Sequence, residues 1–285
     1  MVKTRVITAL MMLAVVAGLV FFANFYVWLA AVSAMLAWAA VEWANLAKFS
    51  KLAKAAYAFL LPASLGAGYA LFQQQMPAVV SFWVLAAVGF WLLIVPLWLY
   101  YGWRVTSKPV LAVVGALILL ATGWCLLLVR PTAEQAWVLL GLLMVIWVAD
   151  SVAFFAGRAF GKHKLAPSIS PGKTIEGAVG AWLGVAAYLA FVTAGMTWLS
   201  QSFGFFENWH GLPIALSIPK LLLLAFILTY VSILGDLFES WLKRCAGVKD
   251  SGSALPGHGG ILDRIDAILS TLPVQLVLFR LMAGF

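Results

Sequence analysis

Apolar stretches recur along the whole chain, broken by short clusters of Lys, Arg, Gly, Pro and Ser. Each is about 20 residues long, and a helix of that length at 1.5 Å per residue spans a ~30 Å hydrocarbon core. Reading runs and breaks together predicts about nine membrane helices, near 6–23, 27–47, 55–72, 78–101, 110–129, 136–157, 177–200, 214–241 and 265–283. The run after Lys3 and Arg5 is longer than a signal-peptide core, so the first segment is expected to stay as a helix. The fold class expected is an all-α, polytopic integral membrane protein.

Composition agrees. Of 285 residues, 65% are hydrophobic and 10% are charged, against about 25% charged in soluble domains. Cys125 and Cys245 stand at no metal-ligand spacing, which excludes a disulfide framework or a zinc site. Basic residues collect in cytoplasmic loops. Placing the amino terminus in the cytoplasm puts fifteen Lys and Arg on that side and leaves three, Arg130, Lys220 and Arg280, outside. Topology therefore accounts for most of the net charge of +8, and that charge is no argument for a nucleic-acid partner.

The acidic residues are under no such sorting, so their distribution is informative. Eight of the ten fall on the expected cytoplasmic side, seven of them between residues 150 and 266. Residues 136–285 are accordingly expected to form the catalytic part, and residues 1–135 to pack and anchor it. Asp150 lies inside the sixth span, about 12 Å along the helix from Arg158. A carboxylate at that depth is costly unless it faces a wet cavity or a cation. Asp236 and Glu239 share a helix face near the end of the eighth span, and Asp263 and Asp266 repeat the spacing where the ninth begins. Four carboxylates on consecutive helices require cations, and hard oxygen donors suit Mg²⁺.

The segment 243–260 between the pairs contains Lys243, Arg244, Lys249, Asp250 and His258, with Gly259 and Gly260 beyond. Such glycines let backbone N–H groups close on phosphate oxygens while Lys and Arg supply charge. A second loop, 157–173, holds two near misses to a P-loop. Neither follows an expected strand, which excludes a Walker fold. Ser170, Lys173 and Thr174 still lead into a helix amino terminus, where anions are favoured. Gly180 and Gly184 form a GxxxG pair, a sign of close helix packing.

The run Ser240-x2-Lys243-Arg244-x4-Lys249-Asp250-x5-Pro256-x-His258-Gly259-Gly260-x2-Asp263-Arg264-x-Asp266 resembles the signature of the phosphatidate cytidylyltransferases, or CDP-diacylglycerol synthases. The Asp150 segment, 170–174 and 235–240 extend the likeness; the first 135 residues match in hydropathy alone. The resemblance implies a homodimeric enzyme of the bacterial cytoplasmic (inner) membrane, facing the cytoplasm, that joins CTP to phosphatidic acid with Mg²⁺ in a paired-metal site also able to hold K⁺. It places the metal at Asp236 and Asp263, with Glu239 and Asp266 in support. Asp150, Lys243, Arg244, Lys249, Asp250, His258 and Arg264 become catalytic candidates, and Ser170, Lys173, Thr174, Gly259 and Gly260 substrate-binding ones. The chemistry is consistent with this: a phosphomonoester is mostly dianionic at neutral pH and needs no general base. Two other readings fit membrane carboxylates. A CTP-dependent polyprenol or phytol kinase would use a base to activate an alcohol. A cation-coupled transporter would place its acids near the midplane, commonly within a repeat.

Overall fold

The computed structural model describes residues 2–71, 76–203, 217–254 and 259–283. Within the described residues each apolar stretch falls on a helix; residue 72 of the third and residues 214–216 of the eighth lie outside them. The helices are α1 (Val2–Phe22), α2 (Phe25–Leu46), α3 (Lys51–Leu71), α4 (Met76–Gly89) continued by a π turn (Phe90–Ile94) into α5 (Val95–Tyr101), α6 (Lys108–Val129), α7 (Ala136–Phe160), α8 (Ile175–Phe203), α9 (Ile218–Ala246) and α10 (Leu262–Ala283). Among the described residues, seven helical spans are long and apolar enough to cross a membrane. The chain is thus a polytopic helical membrane protein.

Sequence chemistry explains the breaks. Asn24 accepts a hydrogen bond from Val27 N and caps α2. Gly102, at φ 62°, closes α5 in the left-handed conformation that glycine adopts with least strain. The π turn ends two residues before Pro96: the proline has no N–H for the helical ladder, and the wider turn gives its ring room.

One element departs from the all-α expectation. Residues 164–174, expected as loop, form an antiparallel hairpin of β1 (Lys164–Ala166) and β2 (Ser170–Thr174), so Lys173 and Thr174 do lie on a strand. Both strands are sheet edges, which is where a proline such as Pro171 is tolerated. Thr174 Oγ1 then accepts from Gly177 N, so the strand runs directly into α8.

The larger apolar core joins α1 through α7 with α9 and α10 and draws on both sides of residue 135. A smaller one, including Val145, Val185 and Leu228, ties together α7, α8 and α9. The α7–α8 contact is a glycine seam: a side chain at Gly184 would meet Val152 at 2.8 Å, and one at Gly180 would overlap Ala156.

Candidate active site

The helices α9 and α10 pack antiparallel, and that register decides which acids meet. Asp236 lies deeper along α9 and faces Asp266; Glu239, one turn nearer the loop, faces Asp263. Gly235 allows the approach, because a Cβ there would lie 2.6 Å from the Asp266 carbonyl oxygen.

The deeper group is completed by α7 and the hairpin. Asp150, Asp236 and Asp266 lie within one another's electrostatic reach, and Lys173 from β2 pairs with Asp236 at 2.6 Å. Ser240 Oγ donates to Asp236 Oδ1 at 3.3 Å. A cavity of about 530 Å³ opens here, lined by Asp150, Arg158, Ser170, Lys173, Thr174 and Asp236 among others. Its apolar side, with Phe154 and Leu165, suits a lipid; its cations suit phosphate. α7 is unbroken from Asp150 to Arg158, so both groups serve one cavity.

The outer group is organised differently. Lys243 Nζ bridges Glu239 (2.5 Å) and Asp263 (2.6 Å), with all three side chains at most 13% exposed. Asp263 Oδ2 also accepts from Ser251 N, Ser251 Oγ and Gly260 N. Gly260 thus turns its N–H on Asp263, and Gly259, at φ 80°, brings the backbone close to the same carboxylate. Arg244 Nε donates to Ile169 O, linking α9 to the hairpin. Lys249, Asp250 and Arg264 are exposed at this end of the bundle. His258 lies outside the described residues.

One residue escaped the sequence reading. Glu42 of α2, 2% exposed, accepts from Ile261 N (3.0 Å), Leu262 N (2.8 Å) and Ser251 Oγ (2.9 Å). A carboxylate is well placed on the free N–H groups that open α10. Glycines at 252 and 260 make room, since a Cβ at Gly252 would lie 2.5 Å from its carboxylate oxygen. A buried acid in an apolar helix was the available signal, but nothing local identified its partner.

Comparison with known proteins bears on this arrangement. Residues 3–282 match the model of the cytidylyltransferase family. A phosphatidate cytidylyltransferase of Pseudomonas aeruginosa is 37% identical over 96% of this chain and 95% of its own length. The chain belongs to the cytidylyltransferase family. Phosphatidate cytidylyltransferases of Haemophilus influenzae (44% identical over 48% of this chain) and Thermotoga maritima (40% over 50%) match more locally, across 43% and 49% of their own lengths. In this cytidylyltransferase, the carboxylates that the sequence singled out converge as two layers on one end of the α9–α10 pair.

The donors present bear on a metal. Among the described residues, no three His, Cys, Asp or Glu side chains form a ready-made cage. Mg²⁺ rarely has one; it is held by one or two carboxylates plus waters and substrate phosphates. The deeper layer fits that pattern, with three carboxylates against a single paired ammonium. In the outer layer, Lys243 already bridges both carboxylates and offsets one of their two charges.

Proposed function

We propose that this protein transfers the cytidylyl group of CTP to phosphatidic acid, releasing pyrophosphate and forming CDP-diacylglycerol. We place it in a bacterial cytoplasmic membrane as a homodimer, with the site open to the cytosol. The observation that carries this reading is the cavity between α7, α8, α9 and the hairpin, where membrane-depth carboxylates, phosphate-binding cations and an apolar wall coincide.

A phosphatidate oxygen attacks the α-phosphorus of CTP. A new P–O bond forms there, the bond from that phosphorus to the bridging oxygen breaks, and pyrophosphate leaves with the electron pair. The acceptor is already mostly dianionic, so no residue has to remove a proton. The work is to hold two polyanions together and in line. Arg158 and Lys173 are placed to screen them, and Thr174 with the start of α8 offers further donors. Asp236 and Asp150, which line the cavity, would hold Mg²⁺ with Asp266 in support, and the ion would supply screening of the triphosphate and of the departing pyrophosphate. A second ion, K⁺ included, at Asp263 and Glu239 would require Lys243 to withdraw.

The test is a detergent-solubilised assay with phosphatidic acid, Mg²⁺ and CTP labelled at either the α- or the γ-phosphorus. α-Label is expected in the lipid and γ-label in pyrophosphate; γ-label in the lipid would mean a kinase and overturn the reading. Asp236→Asn and Asp263→Asn are each expected to abolish turnover in folded protein, and turnover retained in both would remove the metal assignment.

A further inference from the structure

A second cavity, of about 230 Å³, lies at the same end of the bundle on another face of α9. Asp236 lines the first cavity and Trp241 the second. Five residues along a helix turn the face by about 140°. Four candidate spans terminate at this second cavity: those ending at Leu46, Tyr101 and Ala246 and the one starting at Lys108. It therefore sits at the level where apolar helix gives way to water, which is where lipid headgroups lie.

Its chemistry is one-sided. Lys48, Arg104 and Lys108 line it and no carboxylate does. Among the described residues, none of the three has a carboxylate within ion-pair distance, although Lys173, Lys243 and His163 do. Its indole walls are fixed beforehand. Trp43 Nε1 donates to Leu111 O at 2.8 Å, and Trp98 Nε1 and Trp241 Nε1 both donate to Trp103 O at 2.9 Å. Lys48 is also the one described non-glycine residue with positive φ, at 54°. Its N–H bonds Asn45 O, and Phe49 N bonds Ala44 O, a helix-closing turn that glycine or asparagine would make with less strain. A lysine at such a strained position points to a use for its charge.

We propose that this cavity is a headgroup seat for an anionic glycerophospholipid, separate from the catalytic cavity. The phosphodiester lies among Lys48, Arg104 and Lys108, and the glycerol and upper acyl carbons lie against the indoles. Indoles belong at that depth because one edge is apolar and the other can hydrogen-bond. The volume is below the ~300–1,000 Å³ of clefts that enclose drug-sized ligands, so a headgroup fits better than a whole nucleotide. Leu242, which lines the seat, directly precedes Lys243, so an occupied seat would also brace the end of the catalytic helix.

The experiment is native mass spectrometry of the full-length protein with defined lipids. Phosphatidylglycerol is expected to stay bound where phosphatidylcholine does not, and millimolar inorganic phosphate is expected not to displace it. Arg104→Gln and Lys48→Gln should each weaken phosphatidylglycerol binding about fivefold, the equivalent of ~1 kcal/mol per cation near a charged lipid. Thr106→Trp keeps every charge, fills the cavity and should abolish retention. Equal retention of phosphatidylcholine, displacement by inorganic phosphate, or wild-type retention by all three variants would each overturn the proposal. Arg104 is exposed, so its variant can be read even if Thr106→Trp fails to fold.

Discussion

At the scale of single residues, Glu42 changes the view of what the first helices do. Its carboxylate lies more than 200 residues away in sequence from the backbone it holds, yet it fixes the turn that aims Asp263. Glu42→Ala would leave Ile261 N and Leu262 N without their acceptor, and Ser251 Oγ with Asp263 alone. The expected cost is about 1–3 kcal/mol per unsatisfied buried group, with turnover falling further than the melting temperature implies. Glu42→Gln keeps an acceptor oxygen and should recover part of both, by thermal melting and initial rates. Lys243 offers a second case. Lys243→Met would leave Glu239 and Asp263, each less than a tenth exposed, without their counter-ion. Breaking one side of a buried ion pair costs about 3–5 kcal/mol, and adding Glu239→Gln should restore much of it in a denaturant titration. The four acids on α9 and α10 were legible in sequence because a spacing of three fixes a helix face. Glu42 was not, because no local pattern encodes a partner on another helix.

Among the elements, the fit of α7 to α8 and of α9 to α10 sets the geometry of the candidate site, and both contacts depend on glycines. The sequence indicated the first through Gly180 and Gly184. Gly157 and Gly177 extend it towards the cavity, since a Cβ at Gly177 would lie 2.8 Å from Ala153 O. Gly180→Leu is expected to part the two helices and lower thermal stability markedly, by overpacking a site with no spare volume. Gly235→Ala is expected to act on chemistry as well as stability. It pushes α10 off the face that carries Asp236, so turnover should drop by tenfold or more, beyond what the accompanying fall in melting temperature accounts for. The helices were readable because backbone in a hydrocarbon core must satisfy its own hydrogen bonds, so apolar runs of this length become helices. The hairpin was not readable. Its strands, Lys164–Ala166 and Ser170–Thr174, are too short and too polar for a period of two to stand out, and Pro167 and Pro171 read as loop.

For the whole molecule, the ends of the helices sort into two sets, as up-and-down threading requires. At one end the close of α2, the close of α5, the start of α6 and the close of α9 share a cavity. At the other end Arg130, beyond α6, donates Nε to Val20 O (2.7 Å) and NH2 to Ala23 O (2.6 Å), closing α1. It is fully buried, with its guanidinium 5.1 Å from the centre of the Trp28 ring. Arg130 is one of the three basic residues that positive-inside sorting left on the far side, and its burial gives it a structural role there. The remaining basic residues around the α9–α10 loop carry the topological signal, so that end should face the cytoplasm, where a water-soluble nucleotide meets a lipid already in the leaflet. The chain supplies its own probe: Cys125 is buried and Cys245, near the end of α9, is exposed. A membrane-impermeant maleimide should label Cys245 in inverted vesicles and not in intact spheroplasts. With Cys245→Ser as background, Glu134→Cys in the turn after α6 should show the opposite pattern. Labelling of both positions from the same side would break the threading, and with it the placement of the catalytic cavity on the face that nucleotide can reach.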